Sequence, residues 1–157
     1  MLSTLKDLFD AFTGADDIPT PEQREQALRL ATAVLLVEVM RADPTLAAPE
    51  RKAVMATLRR RFGLADEALD RLVAQAEEES RRANDYFHFT SCLNERLTQP
   101  QKIEVVEAMW QVAYADAHLD VNENHVISKV AGLLHVTHGE YIAAKLRARD
   151  AAGILPG

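Results

Sequence analysis

Two matched segments of this chain hold the side chains best suited to bind a cation. VMRADPTLAAPERKAV carries Asp43 and Glu50, and VAYADAHLDVNENHVI carries Asp116, His118, Asp120 and Glu123. The copies share Ala42/Ala115, Asp43/Asp116, Leu46/Leu119 and Glu50/Glu123 at one spacing, with Val54 matched by Ile127, which argues for a duplicated structural unit. The aspartates fall where a helix is expected to end. A helix's last turn presents unpaired carbonyls and the negative end of the macrodipole, so a carboxylate there needs compensation. Two compensations are open. In one, the aspartate accepts backbone N–H bonds in an Asx-type turn while Glu50 and Glu123 bond the free N–H groups opening the next helix. In the other, carboxylates and end-of-helix carbonyls form an oxygen-rich pocket for a divalent cation, or for the Arg or Lys of a protein partner.

The second copy is the better equipped, because Thr45 and Ala47 stand in the first where His118 and Asp120 stand in the second. Oxygen donors favour calcium, magnesium or manganese, and an imidazole would shift the preference toward manganese or zinc. An EF-hand is excluded: counting from Asp116, position six is Val121 rather than glycine and position twelve is Ile127 rather than glutamate. For a protein partner the expected contacts are Glu38, Asp43 and Asp116. Glu38 is the only charge between Arg29 and Arg41, and its counterpart in the repeat is Gln111.

The elements that must position these residues read as helices throughout, since apolar residues recur at three- and four-residue steps. Leu2, Leu5, Leu8 or Phe9, and Phe12 form one face of a short N-terminal helix within residues 1–14. Thr20-Pro21-Glu22-Gln23 combines an N-cap, a proline at the first helical position and a glutamine three residues after the cap, opening a helix to about Ala42. Pro49 opens the next, stopped by Gly63, and Asp66 to about Asn84 follows, its EEESRR end solvated. A connecting helix around Tyr86, Phe87, Phe89 and Leu93 brings aromatic packing. Thr98-Gln99-Pro100-Gln101 then repeats the capping pattern, and helices from Asn122 to about Leu134 and from His138 to about Arg149 complete the second set. The expected fold is an all-α compact bundle of about seven or eight helices in a single domain spanning residues 1–157. It is built from two pseudo-symmetric helical repeats, at about 21–84 and 98–149, with a flexible tail at 150–157.

Composition narrows the functional classes. With 48% hydrophobic and 27% charged residues the chain can bury a full core. A net charge of −6 disfavours non-specific nucleic-acid binding, which needs a basic face. Cys92 is alone, so no intrachain disulfide forms. The longest apolar run is too short for a transmembrane segment, and the N-terminus lacks a signal-peptide core, so the expected location is cytoplasmic.

Other candidates are weaker. His88 and Cys92, four apart, would need an orienting group and an oxyanion site to work as a dyad. His135 and His138 have ligand-like spacing but lack further ligands, and His125 reads as an exposed helix residue. Arg59-Arg60-Arg61 ends a helix where cations complement the dipole, with a docking patch as the alternative. No phosphate-cradling loop, nucleophile elbow, paired-cysteine motif or HExxH segment occurs, so a non-enzymatic role is expected. The alternatives are a metal-dependent hydrolase, or a scaffold binding a small hydrophobic ligand between its halves near Trp110.

The acidic segment VAYADAHLDVNENHVI, preceded by an apolar helix and repeated in weaker form around VMRADPTLAAPERKAV, resembles the TerB family of tellurite-resistance-associated proteins and the related TerB-like domains. The family pattern is roughly Ala-Asp-Gly-x-Leu-x-x-x-Glu. This chain departs from it at Ala117 and Pro44, where glycine is common, and the resemblance runs from about Glu22 to Arg149. It implies an all-helical, pseudo-symmetric cytoplasmic domain linked to stress or metal resistance, acting as a metal-binding or protein-interaction module. The site it implies is Asp43, Glu50, Asp116 and Glu123.

Overall fold

The computed structural model describes residues 20–42, 48–82, 86–115 and 121–153. Among them are seven α-helices and no strand: α1 (Pro21–Ala42), α2 (Ala48–Phe62), α3 (Asp66–Arg82), α4 (Phe87–Arg96), α5 (Gln99–Ala113), α6 (Val121–Leu133) and α7 (His138–Ala151). The all-α expectation holds. The helix expected within residues 1–14 lies outside the described residues, as do residues 154–157 of the expected tail, while residues 150 and 151 belong to α7.

The helix starts are written in side-chain chemistry. Thr20 and Gln23 form a reciprocal capping box: Gln23 N–H donates to Thr20 Oγ1 at 3.1 Å and Thr20 N–H donates to Gln23 Oε1 at 2.8 Å. Thr98 and Gln101 repeat it at α5, and Thr137 with Glu140 adds a third box at α7. The third was not anticipated, although Thr-x-x-Glu at 137–140 is the same pattern. Hydrogen bonds from Thr137 and then Gln99 hold the Glu140 carboxyl below the usual carboxylate range.

Helix α1 is the axis of the core. Every residue from Leu30 to Val37 is buried, so the helix is enclosed on all sides rather than along one stripe. It packs against α2, α3, α4, α5 and α6, most extensively against α3. Helix α5 is similarly enclosed through Val105, Val106, Met109, Trp110 and Val112, and packs most extensively against α7. Trp110 is completely buried, stacked on Tyr114 and flanked by Tyr141, with Lys145 Nζ 5.2 Å from its ring centre. The chain's own side chains thus surround Trp110. Helix α4 bridges the two sets, touching α1 and α6.

Three described helix ends use the left-handed backbone region, the last at Gly153 after α7 with φ +76. Gly63 follows α2 with φ +64, and His135 follows α6 with φ +61. At the second end, His135 N–H donates to Gly132 O and Val136 N–H to Ala131 O, which satisfies the terminal carbonyls.

Candidate functional site

Of the six cation-ligand candidates, Glu50 and Glu123 are among the described residues; Asp43, Asp116, His118 and Asp120 lie outside them. Glu50 sits in the first turn of α2 and Glu123 in the first turn of α6, and both are 0% exposed. Their burial follows from helix phase. Four residues beyond Glu50 lies Val54 and four beyond Glu123 lies Ile127, both fully buried, so each carboxylate occupies the inward stripe of its helix. The sequence holds this signal in plain form, as Glu50-Val54-Leu58 and Glu123-Ile127-Val130, but the acidity of the segments draws attention to the loops instead.

A buried carboxylate is expensive unless its charge is engaged. Both glutamates do make polar interactions. The macrodipole contributes too, since a helix N-terminus favours negative charge by roughly 0.3–1 kcal/mol when exposed and up to about 2 when partly buried. Among the described residues, no group of three or more His, Cys, Asp or Glu gathers to hold a metal ion.

Glu38 lies one turn before the end of α1, inside a polar network. Ser80 Oγ of α3 donates to Glu38 Oε1, and Arg41 Nη1 donates to Ser80 Oγ at 2.6 Å while standing 3.8 Å from Glu38 Oε1. Tyr86 O–H donates to Glu38 Oε2 at 3.5 Å, and burial followed by the Glu38 charge pushes the Tyr86 phenol up. Ser80 is buried, which corrects the expectation that the whole EEESRR end is solvated. The network pins the C-terminal turn of α1 to α3 and to the start of α4. Its counterpart on α5, Gln111, accepts a hydrogen bond from Arg60 Nη2 of α2 at 3.2 Å.

The arginine triplet is a seam rather than a free patch. Arg59 pairs with Asp66 at 2.6 Å, Arg60 bonds Gln111, and Arg61 reaches Glu104 at 3.4 Å and the Gln101 carbonyl at 3.5 Å. Together they fasten the end of α2 to α3 and α5. The His88–Cys92 dyad is not formed: His88 is exposed, whereas Cys92 is buried with its thiol pushed up to about 11 by desolvation. Such a thiol is a core residue rather than a nucleophile. His125, His135 and His138 are all exposed.

No described helix is long and apolar enough to cross a membrane. Comparison with curated proteins and with solved structures returns no match. The family model described as tellurite resistance protein TerB matches residues 29–146, a span that runs from the middle of α1 to α7 and takes in both acidic segments and both buried glutamates. The chain belongs to the TerB family.

Proposed function

We propose that this TerB-family chain is a cytoplasmic stress-response module that works by binding, with the two acidic segments as its contact site and a divalent cation as the primary ligand. One observation carries the reading: glutamates at matched positions of two helices are completely withdrawn from water. Both keep polar interactions that offset the cost of burial, so each acidic segment is backed by an engaged carboxylate inside the fold. The packing supports a duplicated unit. Exchanging α1, α2 and α3 with α5, α6 and α7 leaves the main packing relations in place, since α1 meets α3 and α6 as α5 meets α7 and α2.

In this reading Asp43 and Glu50 serve the first segment and Asp116, His118, Asp120 and Glu123 the second, which has the richer donor set. Calcium, magnesium or manganese suits the oxygen donors, and zinc becomes competitive if His118 joins. The Glu38 network holds the C-terminal turn of α1, which directly precedes Asp43 in the sequence. A protein partner with a basic contact surface suits the net charge of −6 and would meet the same loops.

Isothermal calorimetry with calcium, manganese and zinc on the wild type and on Asp116→Asn tests this directly. Binding heat in the wild type, lost in Asp116→Asn, is the expected result. It should be accompanied by a rise in melting temperature, because a ligand at a hundred times its Kd stabilises by about 2.7 kcal/mol. An absence of heat with every ion would eliminate the cation reading and leave the acidic segments as a protein contact surface.

A further inference from the structure

Away from the acidic segments, a groove of about 210 Å³ lies between α1 and α3, lined by Leu30, Leu64 and Leu72 together with Gln26, Arg29 and Arg71. No acidic side chain lines it, so in a chain of net charge −6 this is a locally basic place with a leucine lining. Its cations are incompletely engaged. Arg29 Nε is buried with no hydrogen-bond partner among the described residues, although Glu25 Oε1 stands 3.4 Å away as an i,i+4 pair. Arg71 is exposed and makes no ion pair among the described residues.

The second set of helices holds the matching place in closed form. Gln26, Arg29 and Leu30 match Gln99, Lys102 and Ile103 at the spacing that matches Glu38 with Gln111. Ala65 and Ala68 match Thr137 and Glu140 at the spacing that matches the left-handed positions Gly63 and His135. In the second set Glu140 Oε1 accepts from Gln99 Nε2 at 3.0 Å and from Thr137 N–H at 2.9 Å. Lys102 is buried and donates from Nζ to Asn94 Oδ1 at 3.3 Å, and its charge adds to the hydrogen bonds from Thr137 and Gln99 that lower the Glu140 carboxyl. The first set has the same amide and a cation, but alanine where the carboxylate stands.

We propose that the groove between α1 and α3 docks an acidic segment of a protein partner, which brings from outside the carboxylate that Glu140 supplies within the second set. The carboxylate meets Gln26 and Arg29, and apolar side chains beside it cover Leu30, Leu64 and Leu72. Charge complementarity selects the acid, since two arginines and no acid line the groove. Size and shape select a segment. The volume falls below the roughly 300–1,000 Å³ of a drug-sized ligand site, and the lining from Ala68 to Gln75 runs roughly 10 Å along α3, as several consecutive side chains require.

NMR of the full chain with labelled leucine methyls tests this against two peptides, acetyl-Leu-Glu-Lys-Leu-amide and its counterpart with Gln in place of Glu. The Glu peptide should shift the Leu30, Leu64 and Leu72 methyl signals. It should bind roughly tenfold more tightly than the Gln peptide, because a hydrogen bond to a charged group is stronger than one to a neutral group. Arg29→Gln should erase that preference. Ala68→Glu should abolish binding of the Glu peptide, since it supplies the carboxylate from within, and should raise the melting temperature as the groove closes. Equal affinity for the two peptides, no shift of these methyls with either, or undiminished binding in Ala68→Glu would overturn the proposal. So would hexanoate binding as tightly as the Glu peptide, because the groove would then take a small carboxylic acid rather than a protein segment.

Discussion

The helices α1–α3 and α5–α7 meet the same structural problems with different residues. Both sets place a glutamate on the inward stripe of their second helix, Glu50 and Glu123, and both withdraw it fully from water. They differ around it. On the first helix of each set, Glu38 holds Ser80 and Tyr86, whereas Gln111 takes a hydrogen bond from Arg60. At the end of the second helix, the left-handed position is filled by Gly63 in one set and by His135 in the other. Both sets have the buried carboxylate; they differ in the means of fastening neighbouring helices. The feature common to both sets is the better candidate for function, so the glutamates rank above Glu38.

The largest effects should come from the glutamates themselves. Glu50→Ala and Glu123→Ala each remove a buried, engaged charge and strand its partners, at an expected cost of about 3 kcal/mol in denaturant unfolding. The isosteric glutamines sharpen the comparison. If the second segment is the principal cation site, Glu123→Gln should abolish the metal-dependent rise in melting temperature while Glu50→Gln leaves most of it. Equal retention of that rise in both variants would break the asserted inequality of the two segments.

The alkaline limb of stability should be set by the second set and the α4 connector. Cys92 in α4 has its thiol pushed from 9.0 to about 11 by burial, and burial also raises Tyr86, Tyr114 and Tyr141. A raised folded-state pKa favours the protonated form. Its stabilisation is therefore complete below pH 9, the unfolded value, and disappears as pH climbs from there through about 11. For Cys92 alone the loss is about 2–3 kcal/mol. Cys92→Ala should start less stable at pH 8, through the small cavity, and lose less by pH 11, so the gap between variant and wild type should close. Parallel pH profiles would show that the thiol carries no part of the alkaline limb.

The legible parts of the sequence were those governed by local rules. Capping boxes at Thr20 and Thr98, the stop at Gly63 and the apolar stripes placed the helices to within a residue or two, because a cap or a period is encoded within a few adjacent positions. The Glu38–Ser80 link joins residues 42 apart, and no local pattern announces it. Arg59, Arg60 and Arg61 read as cations complementing the helix dipole, with a docking patch as the alternative, and their separate partners stay hidden because sequence adjacency masks the different directions of consecutive helical side chains. Glu50 and Glu123 fell between these cases. Their positions were identified from the repeat, but their depth required phasing them against Val54 and Ile127.

A smaller effect tests the left-handed helix end at Gly63. Gly63 has open space where a Cβ would be built, so Gly63→Ala should suffer only the backbone penalty of that conformation, about 1–2 kcal/mol. A shift in midpoint at unchanged denaturant slope is the expected signature. A neutral result would mean that the connection between α2 and α3 relaxes out of the left-handed region at little cost.

The smallest expected effect is also a gain. His135 holds φ +61 with a side chain exposed to solvent, so it bears the strain that Gly63 avoids and receives no packing in return. Its carbonyl accepts a hydrogen bond from Gln99 Nε2 at 3.1 Å, and its N–H donates to Gly132 O at 3.1 Å; both are backbone groups that glycine keeps. His135→Gly should therefore relieve about 1–2 kcal/mol of conformational strain. The greater freedom of glycine in the unfolded chain takes back roughly 0.5–1 kcal/mol, leaving a net stabilisation of about 0.5–1 kcal/mol in thermal or denaturant unfolding. The same variant separates backbone duty from ligand duty. Were His135 and His138 a zinc-binding pair, His135→Gly would weaken zinc binding as it stabilised the metal-free protein. Unchanged zinc affinity with a higher melting temperature would assign His135 to the helix end alone.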